Sequence, residues 1–240
     1  MLNDNFDIDM IAFASALERR SIDRTLAGLI RKASSRRSAT IDLELARRRL
    51  NLLIDFPYQA APLPRLQDDD EGALIGCIFD SALLLYCRAT DTSSKHRKRV
   101  PIADEYSSER RIKHRGLMKV RNDAMAHFGY GQDLRDGPWA EDRPIFKRRH
   151  GVTSQIFRFR RVNYRANLVN DLHEMIDCAL DISIKLRDEA VDRCDLQMET
   201  FISDPKQLDF FLSFATKPTE DDLPEFQTII QPSLDRTFSG

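Results

Sequence analysis

The sequence predicts an all-α protein: an up-and-down bundle of about five helices with one small β-hairpin insertion. Three observations predict this class. Apolar residues recur at helical spacing through most of the chain. Only 9 of the 240 residues are glycine, while 31% are charged. The one stretch with strand-like alternation is short and folds about a single turn signal, His150-Gly151. At 42% hydrophobic the chain can bury a substantial core, which excludes a disordered protein.

Taken in order, Ile8, Ile11, Ala12, Ala16, Ile22, Leu26, Leu29 and Ile30 predict a first helix from about Phe6 to Lys32. Ser34-Ser35-Arg36-Arg37-Ser38 interrupts the pattern. Thr40 is then a cap for a second helix to about Ile54, with Leu43, Leu45, Leu50 and Leu53 as its apolar positions. Pro57, Pro62 and Pro64 mark a loop. Asp68-Asp69-Asp70-Glu71 supplies a cap and a negative first turn for a third helix to about Ala89. That helix is apolar nearly all round and is expected to be the most buried. Asp80 and Arg88 intrude on it, and buried charges need partners.

Residues 91–100 form a loop carrying Lys95-His96-Arg97-Lys98-Arg99. A fourth helix starts near Ser107 or Ser108 and ends near His127 or Phe128, followed by a loop over 129–142. Ile145–Arg149 and Gln155–Val162 read as two strands, with the turn at His150-Gly151 and Val152 to Ser154. A fifth helix spans about Arg165–Phe201. Asp204-Pro205 then reads as the cap and first position of a short helix to Phe214. The expected organisation is a helical domain over 1–202, with the hairpin inserted at about 143–162, and a short helix and tail over 203–240.

No apolar run approaches the roughly 18 residues a membrane span needs, and the acidic first residues lack a signal pattern. The expectation is a cytoplasmic protein without membrane association. Cys77, Cys87, Cys178 and Cys194 form no close pair and no zinc spacing, so reduced core thiols are expected and no metal site. No P-loop or dinucleotide fingerprint is present, and no cofactor is expected.

The net charge of −1 conceals an asymmetry. Residues 88–165 hold 20 Lys/Arg against 9 Asp/Glu, and the rest of the chain holds 17 against 29. Arginine outnumbers lysine 28 to 9. Such a block either faces a polyanion or is a salt-bridged surface.

Within the block, Arg121, Asn122 and His127 lie near the predicted end of the fourth helix, just before Gly129 and Gly131. Arginine grips phosphate through a planar fork of donors, and histidine moves protons near neutral pH. Together they can cut an RNA backbone without a metal. Asn122 can orient either partner. Asp123 lies four residues before His127 and is placed to support the imidazole. Six residues along a straight helix turn His127 roughly 120° away from Arg121, so convergence depends on the helix stopping there. Arg115 and Lys119 on the same helix, and Tyr130 beyond it, are the expected substrate contacts.

The motif Arg121-Asn122, four residues, then His127, with Ala126 before the histidine, resembles the signature of the HEPN superfamily of helical ribonucleases and nucleotide-binding domains. The resemblance implies metal-independent cleavage of RNA by the ribose 2′-hydroxyl. In it His127 would be the acid/base, Arg121 would stabilise the phosphorane, and Asn122 would position them. It also implies a composite site at a homodimer interface, and a toxin or anti-phage defence role with an antitoxin or regulatory protein as partner. Two alternatives stand beside it: a non-catalytic helical module that binds RNA or protein, and a nucleotide sensor that uses Arg121 as a phosphate clamp.

Overall fold

A computed structural model describes residues 7–55, 68–93, 97–126, 140–149, 152–161 and 165–216. The described elements are β1 (Asp7–Ile8), α1 (Met10–Arg20), α2 (Arg24–Asp55), α3 (Asp68–Thr90), a 3-10 turn (Ala103–Glu105), α4 (Ser108–Lys119), a π-helical segment (Val120–Ala126), β2 (Ala140–Arg149), β3 (Val152–Arg161), α5 (Ala166–Ile202), α6 (Pro205–Leu212) and β4 (Ala215–Thr216). The protein is all-α with a small hairpin. Among the described residues no helix is long and apolar enough to cross a membrane. The chain divides into two units, residues 1–31 with 192–240, and residues 32–191.

In the first unit, Asp9 caps α1 by accepting from the amides of Ile11 and Ala12 at 2.8 and 3.0 Å. The helix stops at Ser21, whose φ of 53° is left-handed. Asp23 then accepts from the Leu26 amide at 2.8 Å and opens α2. The single helix expected over 6–32 is therefore broken at 21–23. Its periodicity ran through a break made by one backbone angle and one cap, neither of which disturbs the apolar spacing. Phe13 is fully buried and meets Phe201, Phe211 and Phe214 edge-on, with ring centroids 5.1–5.7 Å apart. β1 and β4 pair antiparallel over two residues, too short to show in the sequence pattern.

The core of the second unit is built by α2, α3, α4 and α5 around Leu43, Leu50, Phe79, Leu83, Leu117 and Met175, all fully buried. The break expected at 34–38 does not occur. Ser35 and Arg36 are buried, the Arg36 guanidinium donates to the Leu186 carbonyl, and Ser35 Oγ accepts from the Lys98 amide at 3.4 Å. Tertiary partners thus override weak local propensity. Thr40 is not a cap. Mid-helix, its hydroxyl donates back to the Arg36 carbonyl at 3.1 Å and meets Ser183 Oγ at 2.8 Å. α3 forms as expected but is not buried all round, because Leu74, Cys77 and Leu84 are exposed on one face. Cys77 is therefore not a core thiol. Cys87 and Cys194 are buried, Cys178 is half-buried, and all four are free.

The hairpin runs longer than expected. β2 and β3 pair antiparallel from Ala140 opposite Arg161 to Arg149 opposite Val152. Val152 to Ser154, read as turn, are strand. The pairing ends with Arg149 opposite Val152, and the two residues between them were read as the turn. Those two, His150 and Gly151, lie outside the described residues. In the first unit, Asp204 caps α6 through the Lys206 amide at 2.8 Å, with Pro205 at the first position, as expected.

Candidate functional site

α4 begins at a Ser107 cap whose hydroxyl accepts from the Arg110 amide at 3.3 Å. It is anchored by His114 and Leu117 on its buried face, and Val120 beyond it is buried as well. From Val120 to Ala126 the backbone widens into a π-helix, and this segment carries Arg121, Asn122 and Asp123. π-helical turns bond i to i+5 and collect at functional sites. The rotation and the i,i+4 spacing expected of a regular helix therefore do not apply after Lys119. His127 and Tyr130 lie outside the described residues, as does the helix end at Gly129.

Arg121 and Asn122 are brought together. Arg121 Nη1 donates to Asn122 Oδ1 at 2.7 Å, and both residues are half-buried. Arg121 Nε is buried and donates to no acceptor among the described residues. Buried polar groups in proteins are nearly always paired, so an unpaired guanidinium donor calls for an acceptor that is not part of this chain's described structure. Asn122 spends its carbonyl on the arginine, which leaves its amide group as a donor on the same side chain. Asp123 is half-buried in the same segment. Cys87 lies close enough to Arg121 to feel its charge. Burial nonetheless pushes the Cys87 thiol up to about 12, so it stays protonated and is no nucleophile.

The remaining expected contacts are spread out. Lys119 ends α4 half-buried. Arg115 is exposed and bends back along α4, donating from Nε to the Arg111 carbonyl at 3.3 Å. It lines a groove with Ser108, Arg111, Ile112 and His114.

Four cations of the basic block are neutralised at short range. Arg88 and Arg97 both pair with Asp42, Arg99 pairs with Asp104, and Lys113 with Asp171 and Glu174. Arg88, which intruded on the third helix, thus has the structural partner it needed. Asp80 has no hydrogen-bond or ion-pair partner among the described residues, and burial raises its carboxyl to about 6. Arg110, Arg111 and Arg115 make no ion pair among the described residues.

Sequence reading passed over His114. It is 9% exposed, and its Nδ1 lies 2.8 Å from the Tyr86 hydroxyl, which in turn lies 3.3 Å from that of Tyr106. Both tyrosine rings stand edge-on to the imidazole. Burial lowers the His114 pKa, and burial also raises those of both tyrosines, so all three are neutral at pH 7. The spacing His114, Leu117, Val120 placed the histidine on the apolar face of its helix. That signal was present but was masked by the flanking Lys113 and Arg115.

Among the described residues no group of His, Cys, Asp or Glu is arranged to hold a metal ion. No family model matches the chain, and neither a curated protein nor a solved structure matches it.

Proposed function

We propose that this chain is a metal-independent endoribonuclease of the HEPN kind, with Arg121, Asn122 and His127 as its catalytic residues. The observation that carries the reading is the state of Arg121. Its guanidinium is half-buried, steered by Asn122 Oδ1 and left with an unpaired buried Nε donor, on a π-helical turn. A fork held in this way is preorganised for the non-bridging oxygens of a phosphodiester.

In the proposed reaction the ribose 2′-oxygen attacks the adjacent phosphorus and the bond from phosphorus to the 5′-oxygen breaks. The products are a 2′,3′-cyclic phosphate and a 5′-hydroxyl. His127 takes the 2′-hydroxyl proton or delivers one to the leaving 5′-oxygen. Arg121 stabilises the charge that builds on the phosphorane. The HEPN resemblance implies a composite site at a homodimer interface, in which another copy of the chain supplies the second proton-transfer group. A homodimer with a shared cleft is thus part of the proposal, as is a toxin or defence role controlled by a partner protein.

The test uses purified full-length protein with a structured RNA. Arg121→Ala and His127→Ala are each expected to lower cleavage by about 10²–10³-fold or more, with unchanged circular dichroism and melting temperature. Products should carry cyclic phosphate ends, and EDTA should not slow the reaction. Cleavage that survives both substitutions, or that a chelator stops, refutes the proposal. Tight RNA binding without products in the wild type identifies a non-catalytic module instead.

A further inference from the structure

The groove beside α4 has a volume of about 740 Å³, within the range of sites that hold small ligands. Its polar lining converges on one chemistry. Arg111 and Arg115 lie four residues apart on α4 and so share a face. Each is held by a single nitrogen: Arg111 Nη2 donates to the Asp104 carbonyl at 2.8 Å, and Arg115 Nε to the Arg111 carbonyl at 3.3 Å. The rest of each fork has no acceptor among the described residues. Ser108 adds a hydroxyl one turn earlier. The only carboxylate among the described lining residues, Asp104, is gripped at both oxygens by Arg99 at 3.1 and 2.8 Å, so its charge is answered from outside the groove.

A second, independent feature lies at the wall. His114 is nine-tenths buried and fixed from behind by the Tyr86 hydroxyl, and its Nε2 has no partner among the described residues. A neutral imidazole held in one orientation is a directional hydrogen-bonding group, with Nε2 left for a ligand. Beside it Ile112 exposes 63% of its surface, a large apolar side chain at the rim of a charged groove. Guanidinium forks take a phosphate, while an apolar side chain, an imidazole and arginine planes take a flat heterocycle. The volume far exceeds what a phosphate alone would fill.

We infer that this groove binds a nucleoside monophosphate unit, with its phosphate on Arg111, Arg115 and Ser108 and its base against Ile112 and His114. The unit is either a free nucleotide or one residue of a single-stranded RNA. The inference stands apart from cleavage at Arg121 and uses none of the three catalytic residues.

The experiment titrates the full-length protein with adenosine 5′-monophosphate by calorimetry. In parallel, a fluorescein-labelled 2′-O-methyl oligoribonucleotide, which cannot be cut by 2′-hydroxyl attack, is followed by anisotropy. Both probes are repeated on Arg111→Ala/Arg115→Ala, on His114→Gln and on Arg121→Ala. The paired arginine variant is expected to weaken binding about tenfold or more, because both phosphate forks are lost. His114→Gln should weaken it less, and Arg121→Ala should leave adenosine monophosphate binding unchanged, while oligonucleotide binding, which the catalytic site shares, is compared only between wild type and the groove variants. The two arginines are exposed, so the melting temperature of the variant should match the wild type and confirm its fold. Loss of the mononucleotide signal identifies a free-nucleotide site, and loss confined to the oligonucleotide identifies an RNA subsite. The inference is overturned if the wild type binds neither probe, or if the arginine variant binds both as well as the wild type does. Cleavage lost in Arg121→Ala with groove binding intact separates this outcome from the fate of the ribonuclease reading.

Discussion

Beyond its acidic first turn α3 carries two charges, Asp80 and Arg88, and they meet opposite fates. Near its end, Arg88 reaches Asp42 on α2, where Arg97 joins it. Asp42 is almost fully buried, so one carboxylate serves two cations. Two turns earlier, Asp80 is half-buried with no partner among the described residues, and its carboxyl is raised to about 6. The Asp42 cluster ties α2 to α3 and to the segment after it. Asp80 adds no comparable contact and carries an electrostatic penalty. Arg88 and Arg97 belong to the basic block, and their pairing with Asp42 shows that charge as such does not mark function there. What separates structural cations from candidate ligand-binding ones is whether they already have a partner.

Removing the hub should have the largest effect on stability. Asp42→Ala takes the shared carboxylate away from Arg97, which is only 14% exposed, while Arg88 can turn to water, and a loss of about 3 kcal/mol is expected. Urea unfolding monitored by circular dichroism measures it, and a loss below about 1 kcal/mol would mean that the cluster is ornamental.

The Asp80→Asn variant should act in the opposite direction. Asp80's folded pKa, about 6, lies above its ordinary value of 3.8, so the folded state binds the proton more tightly. Stability is lost as pH rises through that window, and the deficit is complete above it. Asn cannot ionise, so the variant should be more stable than wild type by about 1–2 kcal/mol at pH 8, after discounting for partial solvent contact, and should converge with it near pH 4. A pH-independent difference would show that Asp80 matters through packing instead.

The smallest effect is expected at Lys113, which bridges Asp171 and Glu174 at the surface. Lys113→Ala should leave the melting temperature essentially unchanged. A clear drop would make surface pairs part of what holds α4 to α5.

The helical class, the hairpin and the capped start of α6 were all legible, because each rests on a local pattern: apolar period, alternation, or Asp-Pro at a helix start. The breaks were not. Residues 34–38 look like a helix stop by composition, yet they stay helical because Arg36 and Ser35 find partners on distant parts of the chain. The true stop at Ser21 depends on a single left-handed residue that is not glycine. For the site, Arg121 and Asn122 were singled out from residue type and spacing, and the structure joins the two side chains by a hydrogen bond. The π-helical backbone beneath them left no trace in composition, because the same residues serve an i+4 or an i+5 register. His114 was obscured twice over: Lys113 and Arg115 mask its place on the apolar face, and its tyrosine partner, Tyr86, is 28 positions away.

The wide turn from Val120 to Ala126 accommodates more chain per revolution than its neighbours do. Deleting one residue there, for instance Asp123, would allow the segment to close up as ordinary α-helix. Because a wide turn takes up about one residue more than an α turn, the rotation of the helix across the segment would then change little. The extra residue is thus absorbed locally, and a one-codon deletion is expected to narrow the turn that carries Arg121 rather than to rotate one end of the segment against the other.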